Sequence, residues 1–329
     1  MLQVSSFNGM KRLNTQLEVY SDMTRLMRVE KWCLWGHVLS MAYGLAGLLW
    51  VMPHPEILDY LPAGSTLYRW SMAGGGVVYI LLGTVAVALY LRRVYGWQAL
   101  LAFMLPALAL SLSSELLGTS TGFPFGDYTY LNGLGYKVAG LVPFTIPLSW
   151  FYLGVSSYLL ARGGLLGKQM TWVRQLAAIA TGALLLMSWD FVLDPAMSQT
   201  AMPFWYWHQP GAFFGMPYEN FAGWFITGAT FMAVAAVFWH RNERLQILTR
   251  EQLTLPLIMY LANFCFAMFM SVGGGIYIPI LLGIAVGALP AVGCWLSTPT
   301  HQSVDTAASS SESQLPVMEI VTTPASVSK

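Results

Sequence analysis

Apolar residues run along this chain in long blocks, broken by short polar segments. A helix that crosses the hydrocarbon core of a bilayer needs about 20 such residues. Blocks of that length predict helices near 32–52, 70–91, 97–117, 138–161, 173–193, 221–240, 253–272 and 276–296. The last two are separated only by Gly273, Gly274 and Gly275, which predicts a tight hairpin. The expected fold class is an all-α, polytopic integral membrane helix bundle with about eight transmembrane helices.

The basic residues divide these helices into sides. Of the 16 Lys and Arg, all but Arg69 and Lys137 fall before the first block, after each even-numbered block or in the tail. Positively charged loops stay in the cytoplasm, so both termini are expected there. The expected organisation is a cytoplasmic N-terminal segment (1–30), a transmembrane helical domain (31–296) and a disordered C-terminal tail (297–329), the last rich in Ser, Thr and Pro. The first 30 residues lack the apolar core and small-residue cleavage site of a signal peptide, so targeting falls to the first spanning helix.

Composition agrees with this layout. Charged residues are 9% of the chain, against about 25% in a soluble domain, and aliphatic and aromatic residues are 56%. So few charges cannot clothe a water-exposed surface. A net charge of +1 points to no nucleic-acid partner. Gly36, Ser40 and Gly44 recur every fourth residue, as do Gly283 and Gly287, which predicts close helix packing through small side chains. Cys33, Cys265 and Cys294 read as small buried apolar residues without a disulfide framework.

Polar chemistry gathers in the loops opposite the basic ones. Glu115 ends the third block, one turn after Ser111, and an ionisable residue at membrane depth is a functional candidate by default. The bland alternative is a headgroup-level carboxylate bonded to Ser111 or a loop amide. Asp190 and Asp194 are four apart and share a face if the fifth helix continues that far. Two like charges so placed favour keeping a proton on one of them. The alternative for Asp194-Pro195 is a helix stop, because the residue before proline avoids the α region. Asn220 reads most simply as the N-cap of the sixth helix. Trp189, Trp205, Trp207 and Trp224 suit a membrane interface in any case, while Asp127, Tyr128 and Tyr130 fit either packing or substrate contact. The five histidines, His37, His54, His208, His240 and His301, show no ligand spacing, so no metal site is expected.

Three segments carry a resemblance: Glu115…Gly118-x3-Gly122-Phe-Pro-Phe-Gly-Asp-Tyr128, Trp189-Asp190-x3-Asp194-Pro195 and Pro217-x2-Asn220-Phe-x-Gly223-Trp224. Together they resemble the CruF-type carotenoid biosynthesis proteins, a family that includes γ-carotene 1′-hydroxylases and bisanhydrobacterioruberin hydratases. The resemblance implies a carotenoid 1,2-hydratase, which adds water to the terminal C1′=C2′ bond of an acyclic ψ-end and leaves a tertiary 1′-hydroxyl. Acid protonation followed by water addition needs no cofactor and no metal. Glu115, Asp190 and Asp194 are then the catalytic candidates. Trp189, Trp224, Tyr128, Asn220 and Asp127 are the candidates for substrate binding. The partners implied are water and a carotenoid taken from the bilayer, with a downstream carotenoid glycosyltransferase left open. The membrane would be the plasma membrane or an internal photosynthetic membrane. Two alternatives are an intramembrane prenyltransferase, since Asp190-x3-Asp194 resembles half of a Mg²⁺–diphosphate site, and a non-catalytic carotenoid-binding or transport protein.

Overall fold

The computed structural model of the protein describes residues 2–60, 62–165, 171–200, 202–209, 211–240 and 248–302, and it is an all-α bundle. Its helices are α1 (Leu2–Ala46), α2 (Gly64–Tyr95), α3 (Trp97–Thr121), α4 (Thr145–Leu165), α5 (Trp172–Ser198), α6 (Tyr218–Trp239) and α7 (Thr254–Gly273). After the expected hairpin at Gly273–Gly275, α8 (Ile278–Gly283) and α9 (Leu289–Ser297) form one rod through a π-helical turn, Ile284–Ala288. A similar turn, Gly47–Val51, extends α1. Residues 303–329 of the expected tail lie outside the described residues.

Among the described residues, seven rods are long and apolar enough to cross a membrane, and α4 is not one of them. Yet α4 has 21 residues, about 30 Å at 1.5 Å per residue. What it lacks is apolar composition, and its position explains why. Every residue from Trp150 to Gly163 is buried, and α4 packs against α2, α3, α5, α6, α7 and α9. A helix shielded from lipid on all sides can carry Ser156, Ser157 and Arg162. The outer helices instead turn Trp32, Trp35, Leu39 and Leu281 outward, as a lipid-facing surface requires.

The expected start of α4 at 138 is displaced to Thr145. The apolar residues before it form a small ribbon, in which β2 (Lys137–Val138) pairs antiparallel with β3 (Val142–Pro143). A second ribbon joins two distant loops: β1 (Tyr128–Tyr130) pairs with β4 (Trp205–Trp207), setting Tyr128 opposite Trp207 and Tyr130 opposite Trp205.

The small-residue stripes behave differently from each other. A Cβ on Gly283 would lie 2.3 Å from Val192 and one on Gly287 would lie 2.5 Å from Ser188, so both glycines let the last rod press onto α5. In α1 the expectation holds at only one end. Gly36 lies against Leu82 and His37 against Gly83, but a Cβ on Gly44 would meet nothing within 4 Å. The stripe is filled by its neighbour at Gly36 and open at Gly44. The cysteines also differ from expectation: Cys265 is exposed, and Cys33 and Cys294 are only half-buried.

Chain direction alternates from helix to helix, which puts Glu115, Asp190, Asp194 and Asn220 at one end of the bundle. Arg93, Arg162, Arg174 and Arg250 lie at helix ends on the other.

Candidate active site

Asp194 does not stop its helix. α5 runs through Pro195 to Ser198, and Pro195 still accepts from the Gln199 amide at 3.0 Å. Asp190 and Asp194 therefore share a face one turn apart, 1% and 3% exposed. Asn220 does not cap α6 either. Pro217 holds the extended cap position, so α6 begins at Tyr218 and Asn220 falls inside its first turn. Its amide donates to Asp190 Oδ2 at 2.7 Å and contacts Met216 Sδ at 2.8 Å.

The β1–β4 ribbon supplies the other polar partners. Alternate residues of a strand point to one face, so Tyr128, Tyr130, Trp205 and Trp207 all face inward. The two tyrosines address α3: Tyr128 donates to Glu115 Oε2, and Tyr130 donates to the same oxygen at 2.9 Å. Trp150 of α4 completes the set, donating its indole N–H to Glu115 Oε1 at 2.9 Å. Burial first, and the nearby Glu115 charge second, push both phenols well above their ordinary range, so they remain protonated donors. Ser111, one of the partners the bland alternative offered Glu115, plays no part: its hydroxyl has no partner among the described residues.

The two tryptophans of the ribbon address α5. Trp207 donates to Asp194 Oδ1 at 2.9 Å, Trp205 donates to Oδ2 at 3.1 Å, and Ser198 adds a bond to Oδ1 at 3.2 Å. An indole nitrogen can only donate, so these contacts match Asp194 as an acceptor on both oxygens. Asp190 is the exception in the group. Its Oδ2 is held by Asn220, but its Oδ1 is buried with no partner among the described residues.

These groups line a cavity of about 60 Å³, the space of roughly two waters at ~30 Å³ each. Its apolar wall includes three indoles. Trp150 and Trp224 stack with centroids 4.0 Å apart, and Trp189 meets Trp224 edge-on at 5.8 Å. Trp189 is fixed from behind by a 3.1 Å bond to the carbonyl of Asn263. Phe125 closes the cavity from the loop after α3. It wedges between Gly118 and Gly223, where a Cβ would approach its ring to 2.7 Å and 2.4 Å. Those two motif glycines are small because the ring occupies their side-chain space.

Seven of the eight residues singled out from sequence line this cavity: Glu115, Tyr128, Trp189, Asp190, Asp194, Asn220 and Trp224. Asp127 does not. Its side chain is exposed on the far side of the ribbon, 3.9 Å from His208. Trp150 escaped notice, because a tryptophan inside an apolar block looks like packing. Trp205 and Trp207 suit a membrane interface by residue type, but the alternation Tyr128-Thr-Tyr130 and Trp205-Tyr-Trp207 carries the period of a strand. Among the described residues, no group of three or more His, Cys, Asp or Glu is placed to hold a metal ion.

Comparison with known proteins bears on this arrangement. The bisanhydrobacterioruberin hydratase of Haloarcula japonica is 41% identical over 130 residues, covering 38% of this chain and 42% of that protein. The chain thus matches less than half the length of this relative. No solved structure matches. Residues 75–290, most of the bundle and every residue of the cavity's polar cluster, match the family described as carotenoid biosynthesis protein. The chain belongs to the carotenoid biosynthesis protein family.

Proposed function

We propose that this protein hydrates the terminal C1′=C2′ bond of an acyclic, ψ-ended carotenoid. The observation that carries this reading is the unpartnered Oδ1 of Asp190, buried in an aromatic cavity beside two carboxylates already supplied with donors. Hydration of a trisubstituted alkene begins with a proton delivered to its less substituted carbon. Asp190 is the carboxyl with an oxygen free to carry that proton. Protonation at C2′ leaves a tertiary cation at C1′, and the faces of Trp189, Trp224 and Trp150 supply negative π density around it. Water then bonds to C1′ through oxygen and sheds a proton to the Asp190 carboxylate. Asp190 is protonated again and the product is a tertiary alcohol. General acid–base catalysis of this kind contributes about 10²- to 10⁴-fold.

Glu115 and Asp194 have a different part in this scheme. Each spends its oxygens on phenol, indole and hydroxyl donors, so they hold the ribbon and the aromatic walls around the reacting end. The same filling argues against the prenyltransferase alternative, because an oxygen engaged by an indole N–H is poorly placed to bind Mg²⁺. The carotenoid would come from the lipid and its water from the side opposite the basic loops. In the layout proposed here that side is non-cytoplasmic and both termini are cytoplasmic.

The test is an anaerobic incubation of the purified protein with an acyclic-ended carotene in H₂¹⁸O. Label in a new tertiary hydroxyl is the expected result. A requirement for O₂, or a hydroxyl without label, would overturn the reading in favour of oxygenation.

A further inference from the structure

The proposed site accounts for a reacting end but not for the long chain attached to it. A cavity of about 60 Å³ is far below the roughly 300–1,000 Å³ of pockets that enclose a drug-sized ligand. A second cavity, of about 200 Å³, lies alongside it, and Tyr79, Leu134, Met197 and Phe204 line both. Those four side chains are the partition between an acidic chamber and an apolar one.

The second cavity lies between α1 and α2, where small residues face one another. The two helices are in contact where Gly36 meets Leu82 and Gly83 meets His37. Towards the other end, Ser40 and Gly44 of α1 face Ser71, Gly75 and Gly76 of α2 across the cavity. Nothing lies within 4 Å of a Cβ placed on Gly44, and only the Ser71 hydroxyl, at 3.6 Å, approaches one placed on Gly75. Ser40, Gly44, Ser71 and Gly75 are all half-buried, and Leu39, Tyr43 and Val78 beside them are exposed. The slot therefore opens on the flank of the bundle that faces lipid. Its lining also includes the apolar side chains of Met41, Leu48, Met202, Pro203 and Phe266.

We infer that the α1–α2 slot is the subsite for the polyene of the substrate, through which an acyclic carotenoid enters sideways from the bilayer and presents its end group past Tyr79 and Phe204 to Asp190. This rests on the hydratase reading above and adds a route and a binding surface to it. The occupant follows from continuity with the acidic chamber, from an apolar lining, and from a narrow gap between helices that suits a slender, rigid polyene. The combined space takes one end of such a molecule, and the remainder stays in lipid.

Filling the slot tests the inference. Gly44→Phe and Gly75→Leu would project side chains into open space, remote from Asp190. Gly293→Phe, at another glycine with nothing within 4 Å, is the control. Each variant would be assayed with an acyclic C40 carotene and with a C10 isoprenoid ending in the same trisubstituted alkene, and retention of the carotene by detergent-purified protein would be measured. The slot variants should lose carotene turnover and retention by about tenfold or more, keep turnover of the short substrate within about twofold, and leave the control unchanged. Unaltered carotene turnover in both slot variants, or equal loss of both substrates, would overturn the inference. So would wild-type protein that retains phospholipid in place of carotene. Wild-type protein that retains carotene but hydrates neither substrate would instead overturn the hydratase reading. The retention measurement then still decides the slot.

Discussion

Asp190 and Asp194 are one turn apart on the same buried face of α5, yet among the described residues Asp194 accepts from Trp205, Trp207 and Ser198 while Asp190 accepts from Asn220 alone. Their difference comes from what the rest of the chain brings to each. The β1–β4 ribbon delivers two indoles to the later aspartate, and the first turn of α6 delivers one amide to the earlier. Two carboxyls of identical chemistry are thereby given different capacities, and only one keeps an unused oxygen.

The first prediction concerns that oxygen. Asp190→Asn preserves shape and the bond from Asn220 but cannot donate a carboxylic proton. Hydration should fall about 10²- to 10⁴-fold, with thermal unfolding in detergent close to that of the parent. Pigment analysis in a carotene-producing host would measure the product. Normal hydroxylated pigment in this variant would remove Asp190 from the mechanism.

Asp194 should respond mainly in stability. Trp207→Phe removes one N–H from Oδ1 and keeps most of the ring. Loss of a donor to a buried acceptor costs about 1–3 kcal/mol, and the ribbon is held to α5 partly by this bond. The unfolding midpoint should drop, and Trp205→Phe should act in the same direction through Oδ2. Adding both changes together should give less than the sum, since one carboxylate serves both. Midpoints indistinguishable from the parent in both single variants would mean that these bonds do not fasten the ribbon.

Glu115 and its phenols form a unit that a double-mutant cycle can isolate. Tyr128→Phe, Glu115→Gln and the pair should couple by about 0.5–3 kcal/mol, as contacting residues in one network do. The sign is fixed by the geometry: with Glu115 already neutral, losing the Tyr128 hydroxyl should matter less. Denaturation of each variant in detergent gives the four values required. Strict additivity would show that the Tyr128–Glu115 bond carries no stability of its own.

Much of this site was legible from single residues, because lipid penalises charge. Glu115, Asp190 and Asp194 stand out in apolar blocks, and the same penalty places both ends of α6 and α7 within three residues of expectation, while α5 runs five residues beyond its expected end. Legibility failed where partners are tertiary. The apolar run from 138 cannot tell helix from ribbon, so α4 begins later than expected. Trp150 looks like any buried aromatic until α4 is set beside Glu115. Gly44 belongs to the same stripe as Gly36, but whether such a stripe is filled or open depends on what the facing helix presents, Leu82 beside Gly36 and the small Ser71 and Gly75 across from Gly44. Asn220 and Pro195 both carry strong local signals, cap and breaker, and both were overridden. Pro217 took the cap position, and the helix around Pro195 is packed on all sides.

The final prediction separates the aromatic wall's shape from its electronics. Trp224 stacks on Trp150 and meets Trp189 edge-on, and in the proposed reaction a cation forms among these rings. A cation over an indole face gains about 0.5–2 kcal/mol, the best of the aromatic side chains, and a leucine supplies bulk without that field. Trp224→Phe should therefore lower turnover modestly, and Trp224→Leu should lower it further, by up to about 30-fold. Both should leave carotene retention near the parent value, because the interaction is made with the intermediate and not with the neutral alkene. The comparison is between turnover at saturating carotene and retention of carotene by the purified protein. If Phe and Leu reduce turnover equally, or if retention falls in step with turnover, Trp224 shapes the cavity and does not stabilise charge.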